Sequence, residues 1–346
     1  MKKGSSGHDE GAALRKTGGA GMKAKNRNKA MLWRRRGKRI FGGAFKLILI
    51  TGICFIILFP MFLMVSSSVK TVDDMYDDSV VWVTKTTSLS KIQENIADSV
   101  RLLDYLPSIG RTGVYILIMT SLQVLSSCMI GYGLARFNFR FKNLVFSFVI
   151  LTIIIPPFTT ILPTYLNFGN FNLFGLFDVL GIKFSFLETH WPSALLSATG
   201  FGLKSGLFIF IMKQFFEGVP KELEEAAGLD GCSAFGTFAR IMVPTSGGAI
   251  LTVSLFSIVW QYSDTLYTTI FMSRNDLLIK QLYSIHAKFN FLINMGSVFF
   301  PTNRTAADGT ILIQMSALLT ILPVLVMYIV LQKYFVESIS RTGIVE

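Results

Sequence analysis

Long apolar runs separated by short polar segments make up most of this chain from residue 45 onward. A helix needs about 20 mostly apolar residues to cross the hydrocarbon layer of a bilayer. Six stretches meet this condition, and Pro60, Pro156, Pro157 and Pro163 predict that some of these helices are irregular. The predicted spans are 45–67, 112–135, 144–166, 194–216, 249–272 and 311–332. This pattern predicts an all-α, polytopic membrane protein with six transmembrane helices.

The composition supports a membrane protein. Hydrophobic residues make up 51% of the 346 residues and charged residues 16%, against about 25% charged in soluble domains. The net charge of +12 comes from residues 1–46, which hold fourteen Lys and Arg residues but only two acidic ones. Because WRRRGKR at 33–39 directly precedes the first span, attraction to anionic lipid is favoured over nucleic-acid binding. A simple topology signal remains an alternative.

Short loops rich in Lys and Arg are retained on the cytoplasmic side of a membrane. The loop 136–143 has three basic residues and no acidic one, whereas 70–111 has seven acidic and five basic residues. We therefore expect 70–111 to lie outside, and both termini and the loop 217–248 to lie in the cytoplasm.

The expected organisation follows from these spans. It comprises a basic, largely disordered arm (1–44), a first span with an external segment (45–111), a five-span core (112–335) and a cytoplasmic tail (336–346).

The loop 217–248 is polar and charged between two apolar runs, and it is predicted to be helical. Pro220 suits the first helical position, and the strong helix formers of KELEEAA follow it. Glu222, Glu224 and Glu225 fall in the first turns, where the helix dipole favours negative charge. Gly231 and Pro244, two residue types that commonly interrupt helices, lie in the remainder of the loop. An ordinary amphipathic linker between two spans would share these features.

The loop resembles the cytoplasmic EAA loop of permease subunits of binding-protein-dependent ABC importers. The match falls on Glu225, Ala226, Ala227, Gly231, Ile241 and Pro244, with Val243 where the family usually has Leu. The segments 66–76, 131–146, 154–166, 206–227 and 333–346 are also similar to that family. The resemblance points to the second, six-span permease of the maltose-type carbohydrate branch.

The resemblance implies a function and a set of partners. The chain would form half of a pore in the bacterial cell membrane, beside a second permease, two ABC ATPase subunits and an extracytoplasmic sugar-binding protein. A sugar or oligosaccharide would be the substrate. The residues expected to couple the pore to the ATPase are Glu222, Glu225, Ala226, Ala227, Asp230, Gly231, Ile241 and Pro244.

The residues argue against an enzyme. In the string 200–205, Leu203 stands where a phosphate-binding loop requires glycine before its Lys, so ATP-Mg would be used by the partner ATPase and no cofactor by this chain. His8, His190 and His286 are too scattered to predict a metal site. No nucleic-acid partner is expected.

Polar and aromatic residues in the fifth span are the candidates for a sugar pathway. An acid inside an apolar span is costly unless it faces protein or water, and aromatic rings pack well on sugar rings. Interfacial aromatics, with an acid paired to the second permease, are the alternative. The candidates are Trp260, Gln261, Tyr262, Asp264 and Tyr267.

Other functions remain open at this point. An ABC permease for an amino acid or peptide is the nearest, followed by a secondary transporter and a structural or regulatory membrane protein. A secondary transporter would usually show inverted repeats around intramembrane charges, and no second copy of the Asp264 region is present.

Overall fold

A computed structural model describes residues 41–86, 88–172, 184–274, 276–294 and 305–342, with side chains up to residue 333. Most of the predicted arm, up to residue 40, and the end of the predicted tail, 343–346, lie outside the described residues. The chain divides into two compact units, Met1–Leu63 and Met64–Glu346. In the first unit the described residues form a single helix that begins at Phe41.

The described part of the chain is helical, which confirms the all-α prediction. It contains no β-sheet, and an isolated bridge joins Phe171 to Phe184. The helices are α1 Phe41–Ser68, α2 Val72–Tyr76, α3 Leu89–Leu102, α4 Tyr105–Arg136, α5 Lys142–Ile154, α6 Pro157–Gly169, α7 Trp191–Thr199, α8 Ser205–Gly218, α9 Glu222–Leu229, α10 Ala234–Thr237, a π-helical turn Phe238–Met242, α11 Val243–Thr245, α12 Gly247–Ser263, α13 Leu266–Phe271, α14 Leu278–Asn294 and α15 Ala306–Thr342.

Three of the described helices are long and apolar enough to cross a membrane. They are α1, α4 and the part of α15 from Ala306 to Lys333, and they contain the predicted first, second and sixth spans. Helix α4 begins at Tyr105, so the predicted boundary at 112 falls inside it.

The third predicted span, 144–166, is a bent pair. Helices α5 and α6 meet at 105° around Ile155 and Pro156. Pro156 and Pro157 lack the N–H groups that would continue the helix, so the bend follows from the sequence. A second bent pair joins Ala234–Thr245 to Gly247–Ser263 at 76°. Counting each bent pair as one span brings the total to at most five among the described residues.

The fourth predicted span, 194–216, is not one continuous helix. Helix α7 ends at Thr199 and is followed by Gly200, which has φ +81°, and α8 begins after Lys204, which has φ +61°. Both residues adopt the left-handed backbone conformation, which stops helical hydrogen bonding. The fifth predicted span, 249–272, is likewise divided between α12 and α13 at Asp264.

Helix α4 organises the second unit, because it takes part in three apolar clusters. Near its Tyr105 end, Tyr105 and Ile109 pack on the cluster of α14 and α15, and Tyr115 and Met119 belong to a second cluster. Its last turns join α8 and the helices after residue 237 in a third cluster.

Gly131 allows α4 and α8 to pack closely. A Cβ atom on Gly131 would lie 2.7 Å from Met212 Cβ and 3.0 Å from the backbone nitrogen of Lys213, whereas a Cβ atom on Gly133 would meet nothing within 4 Å.

We therefore predict that Gly131→Ala lowers the stability of the protein by about 1–3 kcal/mol, the usual cost of overpacking. Gly133→Ala, in the same helix, is the control and should be neutral or slightly stabilising, because alanine favours helix. Thermal unfolding of the two detergent-purified variants measures this difference. Equal midpoints for the two variants would contradict the predicted close contact.

Candidate functional site

The predicted coupling segment forms helix α9. The sequence predicts a helix that begins at Pro220 and extends to the break at Gly231, but the helix begins at Glu222 and ends at Leu229. Pro220 instead precedes the N-cap residue Lys221, whose side chain makes no capping hydrogen bond. A shift of two residues at each end is ordinary for helix boundaries, because terminal turns are half-formed.

Gly231 ends this helix in a Schellman motif. Its N–H group donates to the carbonyl of Gly228 at 3.1 Å, and the N–H group of Cys232 donates to the carbonyl of Ala227 at 2.9 Å. The motif requires a left-handed residue at this position, and Gly231 has φ +78°. The glycine of the EAA pattern thus has a local physical role.

The second half of the loop contains an irregular helix. Ser233 accepts a hydrogen bond from the N–H group of Gly236 and so caps α10. A π-helical turn that includes Ile241 follows, and the N–H group of Val243 donates to the carbonyl of Phe238. Pro244 cannot donate to the helix and its ring crowds the preceding turn, which accounts for this widened turn.

The two faces of α9 have different surroundings. Ala227 is buried and Glu224 is half-buried, three residues apart on one face. The opposite face is exposed and consists of Glu222, Glu225, Ala226 and Leu229, with Asp230 and Gly231 exposed just beyond it.

Sequence reasoning missed two apolar side chains on this surface. Leu229 is 90% exposed and Phe235 is 70% exposed, on either side of Gly231. Exposed large apolar residues within a charged segment mark contact surfaces. The loop contains other apolar residues, such as Phe238 and Met242, that are buried, so apolar character alone did not mark Leu229 and Phe235 as exposed. We call Glu222, Glu225, Ala226, Leu229 and Phe235 the EAA surface.

The inner face of α9 is tied to the end of α4. Arg136 Nε lies 3.4 Å from Glu224 Oε1, and another guanidinium nitrogen of Arg136 donates to the carbonyl of Val219 at 2.5 Å. Glu224, which sequence analysis placed beside Glu222 and Glu225, therefore contacts this chain rather than solvent.

The predicted pathway residues of the fifth span lie inside a packed region. Trp260 packs on Phe208 and Phe256, and the Tyr262 hydroxyl donates to the carbonyl of Thr320. Tyr267 packs on Phe271, with ring centroids 5.7 Å apart.

Asp264 is buried and performs a local structural task. Its carboxylate accepts hydrogen bonds from the backbone N–H groups of Tyr267, at 3.2 Å, and Thr268, at 3.0 Å. It therefore caps the start of α13 at the point where the fifth predicted span is divided. This contact accounts for an acid in an apolar run without a ligand.

Gln261 belongs to a buried polar junction centred on Gln123, which sequence analysis did not single out. The Gln123 amide nitrogen donates to the carbonyl of Leu203 and to Ser205 Oγ, at 2.5 and 2.9 Å. Its amide oxygen accepts from Ser257 Oγ at 2.7 Å and faces the Gln261 amide nitrogen at 3.4 Å. The junction joins α4, α8 and α12.

A cavity of about 920 Å³ opens beside these residues, between the Tyr105 half of α4 and the segments before α7 and after α13. Its lining includes Arg111, Tyr115, Glu188, His190, Trp191 and Arg274. Tyr115 also lines a much smaller cavity with Gln261, Asp264 and Tyr267. Three of the predicted pathway residues, Gln261, Asp264 and Tyr267, thus lie behind Tyr115 in the wall of the open cavity, whereas Trp260 and Tyr262 line neither cavity.

Glu188 fixes one wall of this cavity. Its backbone has φ +62°, an unfavourable conformation for a residue with a side chain, and its N–H group donates to the carbonyl of Phe271 at 2.7 Å. Its carboxylate accepts from the Ser273 hydroxyl and from the N–H group of Arg274. The hydrogen bond from Ser273 is the main reason why the pKa of the Glu188 carboxyl group is lowered from its usual value. This carboxylate is therefore ionised at neutral pH.

Helices long enough to cross a membrane, two bent helix pairs and a charged loop between apolar helices define an integral membrane protein. A model of the family described as "Binding-protein-dependent transport system inner membrane component" matches residues 127–341, more than half of the chain. The chain belongs to this family, which consists of transport components rather than enzymes.

Several curated proteins are similar over most of the chain. The arabinooligosaccharides transport system permease protein AraQ of Halalkalibacterium halodurans is 25% identical over 228 residues, covering 66% of this chain and 70% of that protein. Protein LplC of Bacillus subtilis is 27% identical over 235 residues, covering 68% and 72%. The polygalacturonan/rhamnogalacturonan transport system permease protein YtcP of Bacillus subtilis is 25% identical over 287 residues, covering 81% and 89%.

A solved structure has the same fold. It is the crystal structure of a bacterial ABC transporter involved in the import of the acidic polysaccharide alginate, and it matches with a TM-score of 0.64 and 17% identity. The match covers 87% of this chain and 98% of that chain, so the fold of that ABC transporter chain extends over most of this chain.

The Schellman motif generates a prediction about Gly231. A Cβ atom there would meet nothing within 4 Å, so only the backbone conformation opposes a larger residue. Gly231→Val should cost about 1–2 kcal/mol and fray the end of α9, whereas Gly231→Asn should be tolerated, since asparagine enters the left-handed region more easily. Amide hydrogen exchange of α9 measures the fraying. Gly228→Ala, inside the helix, is the control, and equal exchange in Gly231→Val and Gly231→Asn would contradict the assignment.

Proposed function

We propose that this chain is the transmembrane permease subunit of an ATP-driven importer for a sugar or oligosaccharide. In the proposed assembly it pairs with a second permease, and two ATPase subunits bind ATP-Mg and dock on the EAA surface. An extracytoplasmic binding protein delivers the substrate. Two relatives are named as transporters of arabinooligosaccharides and of polygalacturonan/rhamnogalacturonan, and the structural neighbour imports alginate, which supports a carbohydrate as the substrate.

The observation that carries the proposal is the two-sided character of α9. One face is held by Arg136 through Glu224, and the other presents Glu222, Glu225 and Leu229 to solvent. A surface helix with no partner to contact gains nothing from exposing Leu229 almost fully, because apolar area in water is unfavourable. A rigid, anchored helix with exposed apolar and acidic groups suits a contact that transmits movement.

We further propose that the substrate passes through the open cavity. Trp191 is exposed at its edge, and groups of both charge signs, including Arg111, Glu188 and Arg274, surround it. An exposed indole ring can stack on a sugar ring, while charged groups of both signs can hydrogen-bond to hydroxyls. In this proposal the candidates Trp260, Gln261, Tyr262, Asp264 and Tyr267 lie deeper along the same pathway and would contact substrate after a conformational change.

Docking of the ATPase through the EAA surface predicts a loss of assembly. Leu229→Asp and Phe235→Asp should reduce the amount of ATPase subunit that copurifies with this chain about tenfold or more, because a charge would be buried in an apolar contact. Leu89→Asp places the same substitution on another exposed apolar residue, in α3, and serves as the control. Quantitative copurification measures the effect. Undiminished recovery of the ATPase with both loop variants would refute docking at this surface.

A sugar site in the cavity predicts an effect of Trp191 on uptake. Trp191→Ala should raise the KM for sugar uptake about threefold to tenfold, the size expected for one lost stacking contact, and Trp191→Phe should restore most of it. Initial uptake rates in cells measure the effect. Trp82→Ala, at an exposed tryptophan that does not line the cavity, is the control. An unchanged KM in Trp191→Ala would remove the cavity from the pathway.

A further inference from the structure

Arg136 is the last residue of α4, and it bridges three elements. Its side chain is only 5% exposed. The guanidinium donates to the carbonyl of Val219, just after α8, and faces the carboxylate of Glu224 in α9. Tyr132, one turn earlier in α4, also contacts the Glu224 carboxylate. The end of α4 is therefore attached both to the end of α8 and to α9, which we call the EAA helix.

The contact between Arg136 and Glu224 is an ion pair without a hydrogen bond. Nε and Oε1 lie 3.4 Å apart, yet neither atom has a hydrogen-bond partner among the described residues. The hydrogen bonds at this junction are made instead with Val219, which accepts from the Arg136 guanidinium, and with Tyr132, which contacts the Glu224 carboxylate. Attraction between charges depends weakly on orientation, whereas a hydrogen bond weakens steeply when it is bent. An ion pair of this kind therefore tolerates a change in the angle between its two groups better than a hydrogen bond does.

The other end of α4 reaches the open cavity. The helix runs without a break from Tyr105 to Arg136, a length of about 48 Å at 1.5 Å per residue. Arg111 and Tyr115, near its first turns, line the cavity. One continuous helix thus extends from the EAA helix to the proposed substrate pathway.

We propose that Arg136 and Glu224 form a joint that passes movement of the EAA helix to α4, and through α4 to the cavity. This inference rests on the proposed docking of the ATPase at the EAA surface, and it assigns to the pair a positioning role. The exposed residues of the EAA surface receive the movement. The pair of Arg136 and Glu224 on the opposite face transfers it to α4, the helix that lines the pathway.

The test compares sugar transport with ATP hydrolysis in the reconstituted full complex. Glu224→Gln removes the charge with little change in shape, and Glu224→Asp keeps the charge on a shorter side chain. Arabinotriose, maltotriose and trigalacturonate, each loaded on the binding protein, are the probes, and the one that stimulates the wild-type ATPase is used for the variants.

The joint predicts a change in the ratio of the two activities. In Glu224→Gln, sugar molecules imported per ATP hydrolysed should fall about tenfold, while stimulated ATPase activity stays within about twofold of wild type. Glu224→Asp should restore part of the ratio. The control is Glu217→Gln, which breaks the ion pair between Lys213 and Glu217, 2.6 Å apart within α8, and should leave the ratio unchanged.

Two results would contradict the proposed role of Arg136 and Glu224. A wild-type ratio in Glu224→Gln would show that the ion pair transfers no movement. Loss of folded protein in both Glu224 variants, measured by size-exclusion chromatography, would assign the pair a purely structural role. The proposed function fails separately, because a wild-type chain that recruits no ATPase subunit would end the comparison before any variant is measured.

Discussion

The hydrogen bonds of Gln123 solve the main physical problem of this fold, which is how a membrane protein tolerates broken helices. Within a bilayer, a free backbone carbonyl finds no water and must be satisfied by the protein. At the break between α7 and α8, Gln123 donates to the carbonyl of Leu203 while its own oxygen accepts from Ser257. A single buried side chain on α4 thus satisfies the backbone at the break and connects α8 and α12 to α4.

Asp264 solves the same problem at a second break. Its carboxylate satisfies the first free N–H groups of α13, where α12 ends, and Gln261 is held one turn earlier by Gln123. Sequence reasoning treats an acid in an apolar run as a candidate for function, because burial of an unpaired charge is costly. The structure shows that backbone groups offset that cost.

The sequence predicts α9 well and its orientation poorly. Strong helix formers, a glycine and a proline at set spacings are local signals, so the helix and its left-handed end at Gly231 follow from them. Glu222, Glu224 and Glu225 look equivalent in the sequence, yet Glu224 turns inward to Arg136, 88 positions away. The face that a helix buries depends on its tertiary neighbours. For the same reason the exposure of Leu229 and Phe235 and the junction at Gln123 could not be predicted from periodicity.

The central claim is that this chain works as the membrane part of an ATP-driven import machine. Isolating it from native membranes, and assaying the isolated complex for ATP hydrolysis with and without sugar-loaded binding protein, tests this claim most directly. We expect recovery of a second permease and an ATPase subunit with a phosphate-binding loop, and hydrolysis that the loaded binding protein stimulates. Recovery of the chain without a nucleotide-binding partner would contradict the account and favour a transporter driven by another source of energy.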